Sequence, residues 1–338
     1  MKKELETLQF VKNATTKTTT ELTGSNTFYF KEGYVYAYNN IVSIRAKTDY
    51  TLEGSVPAEK FYQLLHKISE DEITVTDKES NFKIRYGKHT ATIQKEVSGL
   101  SSYMNIIFNE SHMKQPVPSD FLEALATSKF QTYSNKLSGI YVDDTCYYAI
   151  DTSDISRYES TEGFAETFWL PREGVLLLRS IPEELEYCAL SRSFFYVFTE
   201  HYTVAVKLKL CNEFPISILE KFMNQFTDYS HVITMPVEYR DTLNRIKLAT
   251  AKDKNDRHVF HMTTGDMLEL QSIGVNSLAV HESLLYEKQN ITKKTYEIPI
   301  ENFMYLDNTI HILESGNNVA VAMRTEKHVH FIRIGVVL

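Results

Sequence analysis

Glycine is scarce in this 338-residue chain, which holds only 12. It has no Gly-rich phosphate loop, no serine nucleophile elbow and no paired-carboxylate motif, so the commonest signatures of nucleotide-using and hydrolytic enzymes are missing. No cofactor is expected. Cysteine is scarcer still: Cys146, Cys188 and Cys211 stand far apart, odd in number and without a CxxC. That excludes a disulfide framework and a zinc-ribbon pattern, and fits a reducing, cytoplasmic compartment. No apolar run approaches the roughly 18 residues of a membrane span, and the start Met1-Lys2-Lys3-Glu4-Leu5-Glu6 lacks the apolar stretch of a secretory signal. Excess positive charge is absent too. The net charge of -8 argues against a chain coated with basic residues for nucleic acid, while leaving room for a local basic surface.

Aromatics, by contrast, are plentiful, with 21 Tyr and 19 Phe, and favour strands. One short pattern recurs: Val56-Pro57-Ala58-Glu59-Lys60-Phe61, Val117-Pro118-Ser119-Asp120-Phe121, Leu170-Pro171-Arg172-Glu173, Met235-Pro236-Val237-Glu238-Tyr239 and Ile298-Pro299-Ile300-Glu301-Asn302-Phe303. Its prolines stand 61, 53, 65 and 63 residues apart. A period near sixty is an internal repeat. Proline with its fixed φ suits the first helical turn, and an acid behind it suits the helix N-terminus. Each copy therefore predicts a strand ending and a helix beginning.

Helices are predicted at 3–22, 58–68, 121–136, 173–181 and 237–251, from apolar residues spaced by three and four. Alternating, turn-bounded strands follow each, including Thr27–Phe30, Tyr34–Tyr38, Phe82–Tyr86, Thr90–Gln94 and His328–Ile334. Residues 212–230, with Phe214-Pro215, read as a connection between domains. A degenerate copy at the N-terminus makes six helix-plus-strand units. Paired two by two they give three similar domains, 1–112, 113–225 and 226–338, each with two helices packed on antiparallel sheets: an α+β fold built from a duplicated unit.

In this order and spacing the chain resembles the bacterial-type sliding clamp, the beta subunit of the replicative DNA polymerase. Besides the Pro57 motif, the resemblance is carried by Leu137-Ser138-Gly139-Ile140-Tyr141, Ala149-Ile150-Asp151, Leu170-Pro171-Arg172-Glu173-Gly174-Val175 and Asn212-Glu213-Phe214-Pro215. It implies the DNA clamp fold, a head-to-tail homodimeric ring around duplex DNA, no catalysis, and partners that include the replicative polymerase and a clamp loader. It also implies a peptide pocket between the second and third domains. The matching positions are Leu137, Ile150, Thr152, Ile155, Phe214, Pro215, Leu219, Asn318, Ile332, Ile334, Val336, Val337 and Leu338. The apolar chain end is itself unusual, since termini are normally exposed and mobile. Where the family commonly carries His-Arg this chain has Ser153-Asp154, and its Met-Pro-Met-Arg-Leu ending is replaced by Ile334-Gly335-Val336-Val337-Leu338. A different peptide preference, and a clamp from a phage or mobile element, would fit those departures.

Sequence-independent DNA contact should come from basic and polar residues opposite the apolar helix stripes. These are Asn13 and Lys17 on the first helix, Lys129 on the flank of the Phe121 helix, and Asn244, Arg245, Lys252 and Lys254 on or just beyond the Val237 helix. Ring closure should use edge strands, with Thr90-Ala91-Thr92-Ile93 a candidate.

Three other readings compete. Asp151-Thr152-Ser153 resembles the aspartic-protease turn, but that chemistry needs two carboxylates, and without a second triplet it would require a homodimeric site. His328 and His330 share a strand face and could begin a metal site, yet a third ligand is lacking, and partly buried strand histidines explain them better. A repeat scaffold binding only protein would also use such units.

Overall fold

The computed structural model describes residues 2–16, 25–69, 73–96, 100–108, 113–127, 137–150, 154–252, 257–273, 279–289, 291–304 and 306–336. It is a mixed α+β chain. The helices are α1 (Lys2–Val11), α2 (Ala58–His66), α3 (Leu100–Ile107), α4 (Phe121–Thr127), α5 (Arg172–Leu178), α6 (Ile216–Met223), α7 (Tyr239–Ala249) and α8 (Ile300–Phe303). None of them is long and apolar enough to cross a membrane.

Three of the five repeated prolines open helices directly, whereas Pro118 and Pro236 lie three residues ahead of α4 and α7, which begin at Phe121 and Tyr239. Pro57, Pro171 and Pro299 are N-caps of α2, α5 and α8, with φ of -56°, -66° and -65° and extended ψ. Proline's ring holds φ while ψ stays extended, so the strand's last residue also opens the helix. Glu59, Glu173 and Glu301 then lie in the first turns, where the helix dipole favours an acid.

The chain separates into two compact units. Unit 1 comprises Met1–Leu122 and Ala165–Leu210, and unit 2 comprises Glu123–Phe164 and Cys211–Leu338. Unit 1 holds an eight-stranded antiparallel sheet in which strand Val42–Lys47 pairs with Tyr202–Lys207, more than 150 residues later in the chain. We call this pairing the first seam. Unit 2 contains the second seam, where Asp154–Glu159 pairs antiparallel with His328–Val336. Each seam joins strands far apart in the chain, so the compact units follow the sheets.

In unit 1, Phe28, Phe30, Phe61 and Phe82 meet edge-to-face with centroids 5.5–6.5 Å apart. This places α2 on the sheet. Helix α1 buries Leu8 and Val11, which stand three residues apart, and also Phe10 and Glu4. That carboxylate accepts from Thr48 Oγ1 at 2.7 Å and from the Asp49 amide at 2.9 Å, which makes its burial tolerable. A three-stranded sheet orders Ile73–Asp77, Asn81–Tyr86 and His89–Gln94. Its last strand, which contains Thr90–Ile93, has one neighbour among the described residues and so an open edge.

Gly174 in α5 sits where a Cβ would lie 2.2 Å from Val206 Cγ1. Val206 is fully buried, so neither side can yield. Gly174→Ala should cost about 1–3 kcal/mol through overpacking, read as a lowered urea midpoint with an unchanged slope.

The core of unit 2 lies between α7, α8 and the sheet. Tyr239, Leu243 and Ile246 of α7 pack with Phe260, Ile298, Phe303, Val321 and Ile332. The Tyr239 hydroxyl donates to the Leu306 carbonyl at 2.8 Å, satisfying the one polar atom that its ring brings inside.

Candidate functional site

The second seam carries the candidate site. Residues 212–230, read as a connection, contain helix α6, with Pro215 as its N-cap. Leu219 and Met223 are its buried residues, one turn apart. The helix is pinned at both ends. Before it, Phe214 stacks on Tyr141 with centroids 4.4 Å apart and planes 5° apart. At its end, Phe222 and Phe226 meet Phe331 of the seam at 6.3 and 6.1 Å. Burial pushes the Tyr141 phenol upward, and Asp143, Cys211 and Glu220 add to that.

Strand alternation decides which residues face α6. Ile155 lies directly opposite Phe331, and Asp154 opposite Ile332. Val329, Phe331 and exposed Arg333 therefore share the α6 face, while Ile332 and Ile334 point the other way into the α7 core. Of the positions matched to the peptide pocket, Ile155, Phe214 and Leu219 are buried here, and Leu137, Ile150 and Pro215 are half-buried. Ile150 pairs with Ile155. The Asn318 side-chain amide donates to Gln225 Oε1 at 3.1 Å. Val336 is exposed and pairs with Tyr296. Thr152, Val337 and Leu338 lie outside the described residues, as does the rest of the Asp151-Thr152-Ser153 triplet. Phe222, Phe226 and Phe331 were not foreseen. The three- and four-residue spacing of Leu219, Phe222, Met223 and Phe226 was the signal available for the first two.

Beneath the seam, on the Ile332 face, lies a buried polar layer. Asp154 accepts from the Asn302 amide of α8. His330 Nε2 is 3.9 Å from Asp154 Oδ1, and Ser156 Oγ is 2.8 Å from His328 Nε2. Asp154, Asn302, His328 and His330 are all nearly inaccessible. Both histidines thus belong to an internal network, and the described residues contain no cluster of three metal-ligating groups. Asp154 points into this layer, away from the face that receives α6.

Among the described residues, the helix faces proposed for DNA are only weakly basic. On α7 the exposed residues are Arg240, which donates to the Tyr239 hydroxyl and the Leu306 carbonyl, Asp241, Asn244, Arg245 and Leu248. Arg245 is held by Glu282 through Nε and Nη2, both at 2.6 Å, and Nη2 also reaches Thr242 Oγ1 at 3.0 Å. Asn13 is exposed, and Lys252 forms an isolated bridge with His258. Lys17, Lys129 and Lys254 lie outside the described residues.

Hydrogen bonding from Arg245 is the main cause of a lowered Glu282 pKa, against an opposing burial effect. A folded pKa below the unfolded one adds stability that is complete above the unfolded value and is lost as pH falls through the folded one. Acid titration of stability should therefore show a loss setting in below the ordinary 4.5. Glu282→Gln should remove that component, read from urea midpoints across the acid limb.

A repeated strand–proline–helix unit, sheets continuing through seams and a helix laid over one seam together define a multi-module α+β fold. Solved structures of bacterial DNA polymerase sliding clamps share that fold. The sliding clamp of Bacillus subtilis matches with a TM-score of 0.80 at 14% identity, over 100% of this chain and 98% of that one. The DNA polymerase III β subunits of Pseudomonas aeruginosa and Thermotoga maritima match with TM-scores of 0.76 at 13% and 12% identity, over 98–99% of this chain and 96–98% of theirs. No protein-family model matches the chain, and no curated protein matches it in sequence.

Proposed function

We propose that this protein is a DNA sliding clamp, a processivity factor without chemistry of its own. The observation that carries this reading is the correspondence in fold with sliding clamps over the whole chain. Three domains, 1–112, 113–225 and 226–338, would close with a second copy into a ring around duplex DNA. The open edge of His89–Gln94 supports closure through strand pairing, and the outer strand His281–Leu284 of unit 2 offers a second edge. A ring needs no tight grip, so weakly basic helix faces suit sliding; phosphate contact there would be electrostatic and independent of sequence. Opening would fall to a clamp loader.

The polymerase would dock by a short peptide at the start of α6 and the apolar chain end, which raises its effective concentration at the primer. The altered ending fits a peptide unlike the usual bacterial one, as in a clamp of a phage or mobile element. Truncation after Val336 tests the docking site. Stimulation of the cognate polymerase on a long primed template should fall at least about tenfold, a loss near 1.4 kcal/mol of docking energy, with the oligomer unchanged by sedimentation. Full stimulation by the truncated chain would contradict the site.

A further inference from the structure

The second seam has another side. Past the C-terminal end of α6 a groove of about 470 Å³ opens between the segment from Met223 to Tyr229 and the seam strands. Two arginines line it, Arg157 and Arg324. Phe226, Tyr229 and Phe331 supply aromatic walls, and no carboxylate is among its lining residues. In a chain of net charge -8, that is a marked local excess of positive charge.

Register sets the arginines in place. Arg157 is opposite Val329, and Val329 is opposite Arg324. The two guanidiniums thus flank Val329 across three adjacent strands, on the face that carries Phe331. Arg324 lies 4.9 Å from the centroid of the Tyr229 ring and has no ion-pair partner among the described residues. Arg157 has one distant contact, Glu159 at 3.5 Å, with both side chains well exposed. Burial raises the Tyr229 pKa, while the charges of Arg324 and Arg157 oppose the rise, so both cations act on one phenol.

The repeat offers an internal comparison. At the first seam the equivalent row is Arg45, Thr203 and Phe198. There the guanidinium lies over Tyr34 and Phe108 and donates to Thr203 Oγ1 at 3.2 Å. The second seam replaces Phe198 by a second arginine. Both rows border a groove, but the lining at the first seam includes Glu186 and Glu200, whereas the lining at the second holds no carboxylate.

We infer that this groove is a docking site for an acidic peptide segment of a partner protein, distinct from the pocket at the chain end. Planar guanidiniums match carboxylates in bidentate fashion. An extended segment rises about 3.3 Å per residue, so acids two residues apart stand about 7 Å apart and can engage both arginines. An apolar side chain of the segment would then rest against Tyr229 and Val329, half-buried members of the lining. Single-stranded nucleic acid fits less well, because it calls for a cationic track along many phosphates, whereas this groove holds two cations, with Glu159 and Asp228 beside its rim.

The test uses fluorescence anisotropy on the full chain. The probe is a labelled peptide, Glu-Asp-Phe-Asp-Glu-Leu, with a control carrying lysine at each acidic position and a short labelled oligothymidylate. The acidic peptide should bind in a salt-sensitive way and the lysine control should not. Arg157→Glu with Arg324→Glu should weaken binding at least tenfold. Changing both to lysine, which keeps the charge but loses the fork, should weaken it less, about threefold, and guards against misfolding. Truncation after Val336 should have no effect, which separates this site from the proposed polymerase pocket. Equal binding by the charge-reversed protein, equal binding of the lysine control, or displacement of the peptide by oligothymidylate would each overturn the inference.

Discussion

Replacing Phe331 by alanine is expected to destabilise the protein by about 3–5 kcal/mol, the range for truncating a buried phenylalanine. Phe331 is 2% exposed. It is the residue on which the end of α6 rests, through Phe222 and Phe226. An alanine there leaves a cavity under the helix and removes the anchor at one end, while the Tyr141–Phe214 stack still holds the other. The loss should therefore be uneven. Hydrogen exchange in α6 should accelerate more than in α7, whose core residues do not include Phe331. Phe331→Leu should recover most of the stability. A uniform rise in exchange across unit 2 would mean that α6 is not pinned as described.

The second large effect is expected at Asp154. This carboxylate is 3% exposed and belongs to the layer of Asn302, His330, His328 and Ser156 beneath the seam. Asp154→Ala removes the acceptor of the Asn302 amide and the negative charge beside His330. Breaking one side of a buried polar or charged pair typically costs about 3–5 kcal/mol, because the groups left behind have lost their water and their partner. Asp154→Asn retains an acceptor and should cost less, about 1–2 kcal/mol. Thermal or urea unfolding of the two variants distinguishes these outcomes. Near-neutral behaviour of Asp154→Ala would show that the layer tolerates an apolar replacement.

What could be read from the chain differed from element to element. The prolines at 57, 171 and 299 do mark strand-to-helix junctions, since a fixed φ is a local property that survives any tertiary context. The stripe of Tyr239, Leu243 and Ile246 was equally legible, because the α7 pattern is long and regular. Helix α3 went unread: its eight residues, Leu-Ser-Ser-Tyr-Met-Asn-Ile-Ile, hold two serines, and its docking on the aromatic sheet face through Met104 and Ile107 depends on partners far away in sequence. Helix α6 was hidden behind Phe214-Pro215, taken for a connection when the proline was an N-cap.

The last strand shows a different limit. Positions 329–336 alternate, but alternation alone does not say which face meets which neighbour. The resemblance pointed to Ile332 and Ile334, whereas the pairing with Asp154–Glu159 turns these into the core and presents Phe331 to α6. Similarly, Arg245 looked available for DNA because Glu282, its partner, lies 37 residues further on. Burial of Glu4 was invisible for the same reason. Long-range pairing, rather than local propensity, separates the legible part of the site from the rest.

The central claim is topological, and retention on DNA tests it most directly. The protein is loaded onto nicked circular duplex DNA, free protein is removed, and half of the sample is linearised. A sliding ring should stay on the circles and leave the linear molecules by their ends, with the difference persisting at salt concentrations that abolish ordinary phosphate contacts. Equal retention on both, or loss from both at the same salt concentration, would contradict a ring and leave a protein that merely adheres to DNA.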